Sequence, residues 1–315
     1  MSLAPVKVIL IVGAGRSGTT LAAQLLGQVN GFFSAGELNY FWDAGYGRNQ
    51  LCSCGVPLRG CEFWSTTAAR VCQIKGLDTD EFGRLRTAVG RRAKIPRLKY
   101  RALRSRQFNR ELQRYRKILG KFYTEIARQS GAEVIVDSSK DPAHGLVLAG
   151  APGIDLRVLH LVRDACAVAH SHTRIKRKTS ITHTEEFMPV RHPSETAVRW
   201  NTVNLLSWAL FAGRDRYRLI SYESLISDPK ETIVRIAHDL GDLADPVDHI
   251  RGNVAELSHS HTALGNPSKS GKGVFVIQPD DKWKSGLGRV HRYTVRALTL
   301  PVAALMRRTE RIGNQ

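Results

Sequence analysis

Val6-Lys7-Val8-Ile9-Leu10-Ile11-Val12, followed by Gly13-Ala14-Gly15-Arg16-Ser17-Gly18-Thr19-Thr20, decides how the rest of the chain is read. The first seven residues are aliphatic except for Lys7, which predicts a buried strand. A glycine-rich turn comes next, and a helical pattern runs over Thr19–Val29. A strand, such a turn and a helix start in succession make a cradle for an oxyanion. Backbone N–H groups point into the turn and the helix dipole favours negative charge there. The only basic residue ahead of the turn is Lys7, so the start reads as a strand entering a loop and not as a secretion leader.

Two phosphate-binding patterns overlap in this turn. Gly13, Gly15 and Gly18 satisfy G-x-G-x-x-G, the dinucleotide fingerprint, which is weak by itself. Gly13 and Gly18 also frame a nucleoside-triphosphatase loop, but Thr19 stands where that loop needs a lysine. A hydrolase of ATP or GTP is therefore disfavoured. Arg16, inside the turn, is the nearest cation.

Working outward, three more runs read as buried strands: Glu133–Val136, Leu156–Val162 and Tyr217–Ser221. Helical patterns cover Cys166–Arg174, Glu195–Ala212, Pro229–Leu240 and Arg289–Arg308. Strands alternating with helices predict an α/β fold, a P-loop-like parallel sheet with helices on both faces. The first two of these strands are too far apart for one crossover, so an insertion of roughly 40–130 sits between them within a single domain spanning 1–315. From Arg84 to Lys121 it holds fifteen Lys or Arg and one acid, Glu111. Phe108, Leu112, Tyr115, Leu119, Phe122 and Ile126 step by four and three, which lays an apolar stripe along one helix face. The insertion is thus expected to be helical and basic. Its arginines read either as a solvated face or as one that meets anions.

The whole chain has 315 residues and a net charge of +19, with 42% hydrophobic and 24% charged residues. That is a globular composition with a preference for anionic partners. The longest uncharged apolar runs, 202–213 and 297–306, fall short of the roughly 18–20 residues a spanning helix needs. Five cysteines, an odd number, point to a reducing cytoplasm and away from a disulfide framework.

Gly15-Arg16-Ser17-Gly18-Thr19-Thr20-Leu21 resembles the 5′-phosphosulfate loop of sulfotransferases that use 3′-phosphoadenosine 5′-phosphosulfate (PAPS), in particular the bacterial branch and the tyrosylprotein enzymes. Further landmarks follow in that family's order. They are Asp137-Ser138-Ser139-Lys140-Asp141-Pro142, then Leu161-Val162-Arg163-Asp164 with Ser171, Tyr222-Glu223-Ser224-Leu225, and Gly265-Asn266-Pro267-Ser268. One departure is Ala165, where the family usually has proline after the Arg-Asp pair.

The resemblance implies roles residue by residue. Gly15, Arg16, Ser17, Gly18, Thr19 and Thr20 would hold the phosphosulfate, Arg163 and Ser171 the 3′-phosphate, and Tyr222 the adenine. Lys269 would screen the 3′-phosphate, and the segment Asp281-Lys282-Trp283-Lys284-Ser285 resembles one near the cofactor. Glu37, in a Gly-Glu pair, would be the general base, with Lys140 and Arg16 stabilising the transferring group. Adenosine 3′,5′-bisphosphate would be the product. No metal-carboxylate set accompanies these residues, so no metal is expected in the transfer. The acceptor bears a hydroxyl; the charge suggests an anionic glycan or lipid.

Independent of family, the landmarks fall after strand ends, where doubly wound folds bind ligands. Two other readings stay open on the residues alone. A nicotinamide-dependent oxidoreductase would use Gly13, Gly15 and Gly18, with Glu37 on the ribose, but leaves Lys140, Arg163 and Ser171 without a task. A nucleic-acid binder would use the charge, but no stacking aromatics interleave with the basic run. His144 and His160 lie near the site, and a lone histidine is more often structural. Cys52, Cys54, Cys61 and Cys72 form C-x-C-x6-C-x10-C. The first spacing is short for zinc, and reduced thiols packing the insertion are the simpler reading. For Arg289–Arg308, peripheral membrane contact and core packing compete, with core packing the simpler.

Overall fold

The computed structural model describes residues 4–74, 77–178, 180–181, 185–243, 246–258, 260–264 and 273–313. In chain order the elements are β1 (Val6–Val12), α1 (Thr19–Leu26), β2 (Phe32–Gly36), α2 (Glu62–Cys72), α3 (Thr79–Val89), α4 (Ile95–Lys99) and α5 (Arg106–Ser130). There follow β3 (Val134–Lys140), α6 (Pro142–Leu148), β4 (Ile154–Val162), α7 (Ala165–Thr173), α8 (Pro193–Phe211), β5 (Tyr217–Ser221), α9 (Tyr222–Ser227) and α10 (Pro229–Gly241). The chain closes with β6 (Ile250–Arg251), β7 (Val254–Leu257), β8 (Gly273–Val276), α11 (Lys282–Gly286) and α12 (Arg289–Gly313).

Strands β1 to β5 form a parallel sheet in the order β2-β3-β1-β4-β5, flanked by helices. Residue alternation assigns its two faces. Ile9 and Ile11 of β1 join Leu159 and Leu161 of β4 in a core with α1 and α10. Val8, Leu10 and Val12 point the other way, into a core shared with α5, α6, α8 and α12.

The expected α/β sheet is present, with corrections. A fifth strand, β2, forms an edge, so the insertion follows β2 and not β1. Strand β3 runs on to Lys140, four residues beyond the expected end. A small antiparallel sheet of β6, β7 and β8 was not anticipated.

The insertion is largely helical. Its stripe from Phe108 to Ile126 is buried along α5 and merges with the core beneath the sheet; each such side chain contributes roughly 1.5–3 kcal/mol. Several of its arginines have structural tasks. Arg84 and Arg114 pair with Glu81, and Arg84 also with Glu111. Arg116 donates to the Leu146 and Val147 carbonyls at the end of α6. Among the described residues no helix is long and apolar enough to cross a membrane. α12 packs against α8, α7 and β5 with Val295, Val302 and Met306 buried, the core-packing alternative.

His160, on β4, is fully buried between the Tyr217 hydroxyl (2.8 Å) and Asn204 Oδ1 (3.0 Å). Burial pushes its imidazole down to about 4. The unfolded imidazole titrates near about 6.5, so below that pH the unfolded chain takes a proton that the fold refuses. Stability should therefore be lost as pH falls from about 6.5 to about 4, at about 1.4 kcal/mol per unit from this residue. Chemical denaturation across that range should give a shallower slope for His160→Gln than for the parent; equal slopes would remove His160 as the cause.

Candidate functional site

Register brings the strand ends to one rim. Val12 lies beside Lys140 and His160, Gly36 beside Asp137, and Val162 beside Ser221. The residues that follow, Gly13, Glu37, Arg163 and Tyr222, therefore emerge together. Chain order reverses across β1, with β3 on one side and β4 on the other, and this is the crevice where such sheets bind ligands.

The turn after β1 is built by its glycines. Gly13 has φ 128°, and a Cβ there would lie 2.2 Å from the Leu161 carbonyl oxygen. Gly18 has φ 90°, and its Cβ would strike the Tyr222 ring at 2.4 Å. Arg16 also adopts positive φ, 72°. Gly18 is the N-cap of α1 and no side chain caps the helix, which suits it to an anion.

A cavity of about 310 Å³ opens over this turn. Gly15, Arg16, Gly18, Thr19, Thr20, Glu37, Lys140, Arg163, Ser171 and Tyr222 all line it. Ser17 does not; it is fully buried behind the turn. Lys269 lies outside the described residues, as does the 265–268 landmark. Leu21, Lys176, Met188 and Asp280 also line the cavity without having been singled out. Lys176 sits in a basic run that could have flagged it, whereas nothing marked Met188. A second cavity of about 830 Å³ shares Arg163, Tyr222 and Asp280, and is lined further by Trp200, Trp283 and α12.

Arg163 is the hinge between the two cavities. Its guanidinium stacks on the Tyr222 ring at 4.3 Å and donates to the Arg16 carbonyl (3.3 Å). It also pairs with the Asp280 carboxylate at 3.1 Å. Burial raises the Tyr222 hydroxyl, with Arg163 opposing. Ser171, in the last turn of α7, accepts from Lys176 at 3.4 Å. Across the cavity, Lys140 Nζ donates to Glu37 Oε1 and to the Ser138 carbonyl (3.0 Å). Lys140 holds φ 63°, a left-handed conformation that turns it off the strand end. Burial lowers the Arg16 guanidinium while Glu37 draws it back up.

The Glu37 backbone is fixed from beneath. Asp137, wholly buried, accepts from Leu38 N (3.4 Å), and Ser139 Oγ accepts from Asn39 N (2.9 Å). Asp137 also accepts from the Tyr123 hydroxyl and meets His144 Nε2 at 3.2 Å. Burial pushes its carboxyl up, but His144, Ser139 and Tyr123 outweigh that and hold it below the usual range. His144 and His160 are thus both engaged in buried networks.

The arrangement puts two carboxylates, two ammoniums and two guanidiniums around one cavity floored by a glycine turn. Among the described residues, Ser17 Oγ and Arg163 Nε are buried polar atoms with no hydrogen-bond partner. Of the two, Arg163 lines the cavity, where its free N–H suits an oxyanion.

A model described as "Sulfotransferase family" matches residues 8–242. No curated protein matches the chain. The sulfotransferase domain from the curacin biosynthetic pathway superposes with a TM-score of 0.52 at 16% identity, covering 96% of this chain and 99% of that one, a likeness of fold. The sulfotransferase domain from the olefin synthase of Synechococcus PCC 7002 gives 0.49 at 19% identity, covering 96% and 97%.

The glycines separate fold from ligand contact. Gly13→Ala meets both strained φ and a backbone oxygen, and should lower unfolding free energy by about 2–4 kcal/mol. Gly15 lines the cavity, and a Cβ there meets nothing within 4 Å. Gly15→Ala should change stability by less than about 0.5 kcal/mol yet weaken anion binding, read by denaturation and by titration with adenosine 3′,5′-bisphosphate.

Proposed function

The chain belongs to the sulfotransferase family, and from that premise we propose that it moves a sulfuryl group from PAPS to a hydroxyl acceptor by in-line displacement. The observation that carries the reading is the shared cavity. The glycine turn, Lys140 and Glu37 face the same space as Arg163 and Ser171, the spread of cations a nucleotide charged at both ends requires.

The turn amides, Thr19, Thr20 and Arg16 take the phosphosulfate, while Arg163 and Ser171 take the 3′-phosphate. The nucleoside runs past the Tyr222 ring toward the larger cavity. The 3′-phosphate replaces the Asp280 carboxylate on Arg163 and satisfies the unpartnered Nε.

Glu37 is the general base: it accepts the acceptor's proton as the acceptor oxygen forms its bond to sulfur. The bond from sulfur to the 5′-phosphate oxygen breaks, and its electron pair leaves with the bisphosphate. Lys140, already paired with Glu37, meets the charge growing on that oxygen, so one ammonium serves both ends of the displacement. The acceptor enters past Lys176 and Met188. With +19 net charge, an anionic hydroxyl compound, glycan or lipid, is the class we propose.

Glu37→Gln should reduce kcat by on the order of 100- to 10,000-fold and leave bisphosphate affinity within about threefold. Loss of affinity with the rate preserved would instead make Glu37 a ribose contact. Arg163→Ala should do the reverse, weakening adenosine 3′,5′-bisphosphate by about 10- to 100-fold in calorimetry. Asp280→Asn removes a competing carboxylate and should tighten the bisphosphate by about two- to fivefold, most at low salt. If the bisphosphate gives neither heat nor thermal shift with the parent protein, the donor assignment is wrong.

A further inference from the structure

The geometry points to a structural zinc site, built by Cys52, Cys54, Cys61 and His261, that staples the insertion to the segment holding Glu37 in place. One ligand atom from each of these residues lies within 4.8 Å of all the others. The cluster stands apart from the cavity, and none of its members lines it.

The distances suit a tetrahedron. With Zn–S of about 2.3 Å and Zn–N of about 2.0–2.1 Å, its sulfur–sulfur edges are about 3.8 Å and its sulfur–nitrogen edges about 3.6 Å. Cys54 Sγ and Cys61 Sγ are 3.8 Å apart. His261 Nδ1 is 3.3 Å from Cys61 Sγ and 3.8 Å from Cys52 Sγ. All five cysteines are free thiols, so no disulfide accounts for the approach. Ordinary thiols packing a core have no need to converge on an imidazole nitrogen.

Local structure holds each ligand. Cys52 N donates to the Val56 carbonyl (2.9 Å) and Gly55 N to the Cys52 carbonyl (2.9 Å), closing a tight turn. Gly55, at φ 87°, allows that turn, which is how a C-x-C spacing brings two sulfurs to one centre. Cys61 is the N-cap of α2, where the dipole favours a thiolate. The His261 ring lies against Phe63 with planes 4° apart, and its carbonyl accepts from Trp64 Nε1 at 2.7 Å. Cys72, grouped with the other three by sequence, is exposed and outside the cluster. Cys52 and Cys61 are reduced and buried in the core beside the insertion, and a histidine some two hundred residues away completes the set of four.

Four protein ligands leave no open position, the mark of a structural and not a catalytic zinc. Two residues beyond His261, Ala263 accepts from Glu37 N at 3.1 Å and donates to the Ala35 carbonyl at 3.0 Å. Thr262 Oγ1 donates to the Ser34 carbonyl (2.9 Å), and Ser53 N to the Thr262 carbonyl (3.1 Å). The segment 260–263 is thus held between the end of β2 and the cysteine turn, and zinc would lock all three together. Binding displaces the three thiol protons to solvent, so affinity falls at acid pH.

The test needs no substrate. Full-length protein purified under reducing conditions should carry about one zinc per chain by elemental analysis, released by a mercurial thiol reagent. Replacing the metal with Co2+ should give strong visible bands of tetrahedral thiolate coordination together with a sulfur-to-metal band in the near ultraviolet. Cys54→Ser and His261→Gln should lose most of the metal, and Cys72→Ser none. Protein from zinc-supplemented cells holding under about 0.2 equivalents, with cobalt giving only weak octahedral absorption, overturns the site. An intact mass two hydrogens short, locating a Cys54–Cys61 disulfide in that protein, overturns it as well. These readouts are independent of which donor or acceptor the enzyme uses.

Discussion

Parallel register across β1 is the constraint from which the site follows. Once Val12 is level with Lys140 and Gly36 with Asp137, the backbone leaves the sheet at one rim on neighbouring strands. The turn after β1 then has little room, because Gly13 sits against the Leu161 carbonyl of β4 and Gly18 against the Tyr222 ring at the end of β5. Small residues there are a packing consequence of the sheet before they are a feature of any ligand. Bare backbone at a helix start is what results, and bare backbone is what an oxyanion needs. The packing of the sheet and the bare amides of the turn are one feature.

Among the cations of the rim stands a carboxylate, Glu37, and it is held on three sides. Beneath it, Asp137 and Ser139 take the amides of Leu38 and Asn39. Beside it, Lys140 supplies the counter-charge from a left-handed backbone that no regular strand would provide. Beyond it, Ala263 accepts its own amide. The cost of burying Asp137 is met by three hydrogen-bonding side chains, so the support is itself an ionised group locked in the core.

Sequence carried the sheet interior and the rim well, because local pattern encodes both. β1, β4 and β5 are aliphatic runs whose alternation matches two cores, and Lys140, Arg163 and Tyr222 could be placed by counting from strand ends. β2 was not legible: Phe32-Phe33-Ser34-Ala35-Gly36 mixes two aromatics with small residues, and only pairing with β3 makes it a strand. Asp280 was hidden for a different reason. An acid beside Arg163 has meaning only once the chain has folded back more than a hundred residues to meet it. The approach of His261 to the cysteines was hidden in the same way, since it comes from another part of the chain.

The same long-range closure explains why the site needs residues so far apart. Arg163 is engaged by Asp280 from the C-terminal region, and Glu37 by Ala263 from the stretch ahead of it. The turn after β1 is shaped by packing within the sheet, but the charges around it are engaged by Ala263 and Asp280, which come late in the sequence. A metal tie at His261 would act on the Ala263 segment where it touches both the insertion and β2, fixing the carboxylate without entering the cavity. Electrostatic catalysis depends on dipoles and charges that do not reorganise during reaction. A closed, non-reacting tie behind Glu37 is therefore where rigidity would serve such chemistry best.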